Sequence, residues 1–161
     1  MSLVFGRVPD LMGKETGSRA IQLLDLRTHA VTALPGSEGL FSPRWSPDGR
    51  YIAALSLDER RLMLFDISSH SWKQLADTSV ADPVWSADSK ALYIHAFMVQ
   101  SQPIYRVEVP SGLRQPIADL SNFRSTDVAD YFFGGVTLEG APLVRARTST
   151  GNIYSLDLDG D

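Results

Sequence analysis

A pattern of about forty residues recurs along this chain, and that recurrence limits its fold more than any other feature. Residues 44–55 read Arg-Trp-Ser-Pro-Asp-Gly-Arg-Tyr-Ile-Ala-Ala-Leu, and forty residues later Val84-Trp85-Ser86-Ala87-Asp88-Ser89-Lys90-Ala91-Leu92-Tyr93-Ile94 repeats them. A weaker third copy runs from Val136 to Val144, with Val136 in place of Trp and Glu139-Gly140 in place of Asp-Gly. A second element recurs out of phase: Leu24-Asp25-Leu26, Phe65-Asp66-Ile67, Val107-Glu108-Val109 and Leu156-Asp157-Leu158. Its steps are 41, 42 and 49 residues, so the final unit carries an insertion near residues 119–130.

Each repeat consists of short apolar runs broken by turn residues. In Ser46-Pro47-Asp48-Gly49 the proline presets φ, the aspartate caps backbone donors, and the glycine is free to take positive φ. Strands are expected at Tyr51 to Leu55 and at Leu62 to Ile67, with a turn at Ser68-Ser69-His70 before Trp72-Lys73-Gln74-Leu75. Arg27-Thr28-His29 and Pro110-Ser111-Gly112 occupy that same turn in the neighbouring copies. No window sustains apolar residues at helical spacing. A 40–45-residue unit of four short strands is the signature of a β-propeller blade. One such sheet cannot bury both faces alone, and stacking sheets face to face around an axis does so.

The run Ser42-Pro43-Arg44-Trp45-Ser46-Pro47-Asp48-Gly49-Arg50-Tyr51-Ile52-Ala53 resembles the WD40-like PD40 repeat of bacterial TolB-type propellers. It lacks the Gly-His and Trp-Asp pair of eukaryotic WD40 repeats. The resemblance covers roughly residues 20–161. It implies an all-β chain of four-stranded antiparallel blades, a partial propeller of about three and a half to four blades. The expected units are a partial blade at 1–40, blades at 41–81 and 82–122, and a partial blade at 123–161. In the first unit strands are expected at Val4 to Arg7, Ile21 to Leu26 and Ala30 to Leu34. In the last they are expected at Tyr131 to Val136, Leu143 to Arg147 and Ile153 to Leu158. The chain also resembles the C-terminal portion of larger bacterial sensor-like proteins, in which such repeats follow a winged-helix or a kinase domain; neither domain is in this sequence, so neither activity is carried over. A closed propeller has about four to eight blades. The chain is therefore expected to pair with another copy through unpaired blade edges, or to close under strain.

Composition removes several chemistries. Without cysteine there is no disulfide framework, thiolate catalysis or cysteine-bound zinc. A net charge of −4 gives no basic footprint for nucleic acid. No apolar run approaches a membrane span, and the opening Met1-Ser2-Leu3-Val4 lacks the basic start and apolar stretch of a signal peptide. The periplasm and the cytoplasm both remain open.

No convergent catalytic, cofactor or metal set is read from the sequence. His29 and His70 fall in turns and His95 in a strand, with no further ligands converging on them, and all three are read as surface residues. The hydrolase elbow is absent, and Gly36-Ser37-Glu38-Gly39 is read as a connection between blades. Asp48, Asp88 and Glu139 share one hairpin position, and Asp25, Asp66, Glu108 and Asp157 share one strand position, so both sets are read as structural. The acidic end, Asp157 to Asp161, lacks the spacing of a calcium loop. Trp45 and Trp85 are assigned to the packing between blades, and Trp72 to a half-exposed outer strand.

What differs between repeats lies in loops, where function on a repetitive scaffold resides. Arg44, Arg60, Arg61 and Arg124, with Phe97 and Met98 as an apolar anchor, form the candidate binding face. The favoured role is a non-catalytic module for protein or ligand interaction, a sensory or scaffolding part of a larger bacterial protein, with the partner or ligand unidentified. The alternative is the gating propeller of a prolyl-oligopeptidase-type hydrolase whose catalytic domain is absent here. A propeller enzyme with its residues on the axis ranks third, because the inner segments offer little beyond Arg44.

Overall fold

A computed structural model describes residues 1–6, 20–77, 81–123 and 128–148. The chain forms thirteen strands among these residues, grouped into four antiparallel sheets met in chain order. The first sheet holds β1 (Ser2–Phe5), β2 (Gln22–Asp25) and β3 (Val31–Ala33). The second holds β4 (Leu40–Trp45), β5 (Tyr51–Ser56), β6 (Arg61–Asp66) and β7 (Ser71–Asp77). The third repeats it with β8 (Ala81–Trp85), β9 (Ala91–His95), β10 (Pro103–Glu108) and β11 (Arg114–Asp119). A single 3-10 turn, Leu120–Phe123, precedes the fourth sheet, made of β12 (Val128–Val136) and β13 (Pro142–Thr148). The expected strand at Ile153 to Leu158 and the acidic chain end lie outside the described residues. The sheets do not close on themselves, and the architecture is a partial β-propeller.

Period-two alternation explains how the sheets stack. Strand β5 is buried along its whole length, which one packed face alone cannot achieve. Tyr51, Ala53 and Leu55 join Leu62 and Leu64 in a cluster with Leu92, Ile94 and Val107 of the third sheet. The intervening Ile52 and Ala54, with Phe65, pack on Ile21 and Leu34 of the first unit. Strand β9 repeats the arrangement: Leu92 and Ile94 face backward, whereas Tyr93 joins Ile104, Leu120 and Phe133 toward the fourth sheet. Two-sided burial of this kind is what makes a blade need neighbours.

The first strand of each complete sheet carries a bulge, between Phe41 and Arg44 and between Ala81 and Val84. Pro43 and Pro83 sit inside these bulges, where a residue without an N–H removes no ladder bond. Outer strand β7 ties the stack together from both of its sides. Trp72 donates its indole N–H to the Pro35 carbonyl at 2.9 Å, and Lys73 donates to the Pro110 carbonyl of the third sheet. Trp72 also packs on Phe65, with ring centroids 5.1 Å apart. It is half-exposed, as its rim position suggests, and it also joins blades as Trp45 and Trp85 do.

Candidate functional site

The recurring carboxylates are consumed by their own turns. Ser46 Oγ donates to Asp48 Oδ1 at 2.6 Å, and the same oxygen accepts the Arg50 N–H at 3.0 Å. Ser86, Asp88 and Lys90 reproduce the pattern at 2.7 and 3.1 Å. Ser56-Leu57-Asp58-Glu59 builds the same turn between β5 and β6, with Asp58 accepting from Ser56 Oγ and from the Arg60 N–H. The Ser-x-Asp spacing, shared with residues 46–48, is the sequence signal for that third turn. Asp25 and Asp66 cap the next turns by accepting the amides of Arg27 and Ser68, each at 2.8 Å. Glu108 departs from them and pairs with Arg106 at 3.2 Å.

These bonds hold the carboxyls of Asp48, Asp58, Asp66 and Asp88 below the ordinary range, the neighbouring serine hydroxyl being the largest cause in each. Backbone N–H groups do the same for Asp25 and Glu139. A carboxyl whose folded pKa lies below its unfolded value contributes stability above the unfolded pKa, near about 4, and loses it as pH falls through the folded one. The stability these turns contribute is therefore expected, in thermal melts, to hold from pH 7 to pH 5 and to be lost progressively below about pH 4. A melting temperature unchanged at pH 3 would remove these turns as a source of stability.

The histidines divide. His29 and His70 occupy left-handed positions, φ 59° and 54°, in turns where the third copy has Gly112 at φ 78°. They are exposed turn residues, as expected. His95 is not: it is buried, 4% exposed, on β9. It follows Tyr93 by two residues and so shares that side chain's face of the sheet. Ser37 is fully buried, accepting the Ile21 N–H at 2.9 Å and donating to the Leu34 carbonyl at 2.6 Å, which makes it a structural pin of the connection. Among the described residues no group of three potential metal ligands converges, and no helix is long and apolar enough to cross a membrane.

The sequence-derived binding face is only partly assembled. Arg60 and Arg61 are exposed at the turn between β5 and β6, with Arg61 4.0 Å from Asp58. Half-buried Phe97 and exposed Met98 lie in the corresponding turn of the third sheet. Arg44 is elsewhere. Strand pairing sets Leu40 against Ser56 at that end and Arg44 against Ala53, three residues along β5, or about 10 Å away. The Arg44 carbonyl accepts the indole of Trp85 at 2.9 Å, and its guanidinium donates to Pro43. It belongs to the seam between sheets rather than to the loop cluster. Arg124 lies outside the described residues.

A different place stands out when equivalent seams are compared. Between the second and third sheets, Trp85 stacks on Tyr51 at 6.4 Å, with planes 15° apart. The hairpins also touch directly, the Asp48 N–H donating to Ser89 Oγ at 3.0 Å. Between the third and fourth sheets the equivalents of Tyr51 and Trp85 are Ala91 and Val136. The equivalents of Leu64 and Leu55 are Arg106 and His95. The seam there opens into a cleft of about 250 Å³ lined by Ser86, Asp88, Tyr93, Arg106, Thr137 and Glu139, among others. These four replacements make the seam more polar, and a fifth, Tyr93 in place of Ala53, brings an aromatic ring into it. They are visible in the sequence once the repeats are aligned, but the direction in which each side chain points comes from the stacking.

This combination of two complete four-stranded sheets, flanking partial sheets and Asp-capped hairpins defines a TolB-type propeller fold. Comparison with solved structures agrees. TolB from Acinetobacter baumannii superposes over 90% of this chain and 39% of its own length, with TM-score 0.57 and 19% identity. The putative TolB from Agrobacterium tumefaciens matches 66% of this chain and 40% of its own, with TM-score 0.55 and 23% identity. The β-propeller domain of the Trilobed protease from Pyrococcus furiosus matches 73% and 39%, with TM-score 0.54 and 19% identity. The chain thus spans about two fifths of the length of these proteins, and the likeness is one of fold. No protein-family model matches the chain, and no curated protein matches it in sequence.

Proposed function

We propose that this chain is a non-catalytic β-propeller module for protein or ligand interaction, acting as a sensory or scaffolding part of a larger bacterial protein. The observation that carries this reading is the outward face of the first sheet. Pairing sets Leu3 against Leu24 and Phe5 against Gln22, and Leu24 against Val31. Leu3, Phe5 and Val31 are exposed to 50%, 40% and 55%, so a blade face built for burial meets solvent. Such a face associates with protein. The repeat carboxylates support a binding role over a catalytic one, because turn geometry already occupies them.

Two copies would together hold seven to eight blades, within the range of closed rings. Light scattering on the chain of 17.7 kDa is expected to give a concentration-dependent mass above the monomer. Leu3→Glu with Val31→Glu is expected to return it to monomer without loss of strand signal. A sharp monomer peak for the unmodified chain at high concentration would count against the reading.

A further inference from the structure

We infer that the apolar groove between β11 and β13 is the docking site of this chain's own residues 153–158, which enter it as the third strand of the fourth sheet with Tyr154 and Leu156 turned inward. The groove comes first. Strand β13 takes the place that β5 holds in the second sheet, since Val136 pairs with Pro142 as Trp45 pairs with Ile52. Yet β5 and its counterpart β9 are buried throughout, whereas six of the seven residues of β13 are exposed. Among the described residues nothing pairs with the far edge of β13. Beside that edge lies a groove of about 340 Å³ lined by Ala118, Leu120, Tyr131, Pro142, Val144 and Ala146.

One sheet earlier the same place is filled. Ala76 of β7 lies opposite Leu62 as Ala118 of β11 lies opposite Ile104, so the two alanines are counterparts. There Leu75 and Ala76 share one apolar cluster with Tyr105 and Val107 of the third strand, β10. The sequence of that strand, Ile104-Tyr105-Arg106-Val107-Glu108-Val109, returns as Ile153-Tyr154-Ser155-Leu156-Asp157-Leu158. Tyr154 stands for Tyr105 and Leu156 for Val107, so alternation brings an aromatic and an aliphatic group to the groove. It leaves Ser155 and Asp157 for the opposite side, on which β13 exposes Leu143 and Arg145. Four residues, Ser149 to Asn152, lie between β13 and Ile153, as Leu57 to Arg60 lie between β5 and β6. One strand of this kind pairs the open edge and covers the apolar groove together.

The chain has no cysteine, so an engineered pair reports this contact without interference. Register sets Leu143 opposite Ser155, as Ala53 lies opposite Leu64. Leu143→Cys with Ser155→Cys is expected to oxidise to a disulfide within one chain, with both thiols lost and the monomer mass kept on a non-reducing gel. Leu143→Cys with Tyr154→Cys moves the second thiol by one residue and so to the other face, and is expected to cross-link at least tenfold less. Hydrogen exchange on the full chain gives a second readout. Thr137 donates to the Ala141 carbonyl, so by alternation Val144 and Ala146 turn their N–H groups to the free edge of β13. Those two amides are expected to exchange slowly in the unmodified chain and at least tenfold faster in Leu156→Asp, while the amides of β5 keep their protection. Should Leu156→Asp fail to fold, the cysteine pairs decide. Light scattering reports association through the first sheet and is independent of both readouts. A disulfide joining two copies would give the groove to a second copy and overturn the assignment. Absence of a disulfide, equal cross-linking of the two pairs, fast exchange at Val144 and Ala146 in the unmodified chain, or unchanged exchange in Leu156→Asp would overturn it as well.

Discussion

Trp85→Ala is expected to lower the unfolding free energy by about 3 kcal/mol, the lower end of the range for removing a packed tryptophan. The side chain is half-buried rather than enclosed, which sets the lower end. Two interactions across the seam vanish together: the stack on Tyr51 and the indole hydrogen bond to the Arg44 carbonyl. Neighbours cannot close the gap, because the seam is held apart by strands β5 and β9, which are buried on both sides. Trp85→Phe keeps a ring in place and loses mainly the hydrogen bond, so a loss of about 1 kcal/mol is expected. Urea melts of the two variants measure the difference. A Trp85→Ala midpoint within error of the unmodified chain would remove this residue from the packing between blades.

Gly112→Ala is expected to cost about 2–4 kcal/mol, combining left-handed strain with overpacking. The glycine has φ 78°, and a Cβ there would meet the Leu75 carbonyl oxygen at 2.5 Å. That oxygen is backbone of β7 in the adjacent sheet, so relief requires the two sheets to move apart. The contrast lies in the same turn one repeat earlier. His70 adopts φ 54° with an exposed ring set edge-on to Phe65, so His70→Gly is expected to change stability by less than about 1 kcal/mol. Equal effects at both positions would show that turn conformation alone matters and that the close approach to β7 does not.

The two positions also show what repeat alignment reveals and what it does not. Alignment places His29, His70 and Gly112 in one turn, and the structure gives all three a left-handed backbone. Alignment does not reveal that only Gly112 abuts a neighbouring strand. Likewise, period two assigns Ile52 and Ala54 to one side and Tyr51 and Ala53 to the other, but not which sheet each side meets. Loop position in the sequence groups Arg44 with Arg60 and Arg61, and strand register separates it from them along β4. His95 reads as a surface residue because one histidine per repeat carries no pattern, yet its strand is buried on both faces.

The repeat, its turn chemistry and the strand alternation are local properties, set by φ preferences and by hydrogen bonds spanning two to five residues. They determined the all-β propeller class, the hairpins at Asp48 and Asp88, and the structural role of the recurring carboxylates. The seams are non-local. Whether Tyr51 with Trp85 fills one, or Tyr93 with Val136 packs the next, depends on residues about forty positions apart meeting across stacked sheets. Only the tertiary structure brings those residues together, because burial between blades is decided by which face each sheet presents to its neighbour.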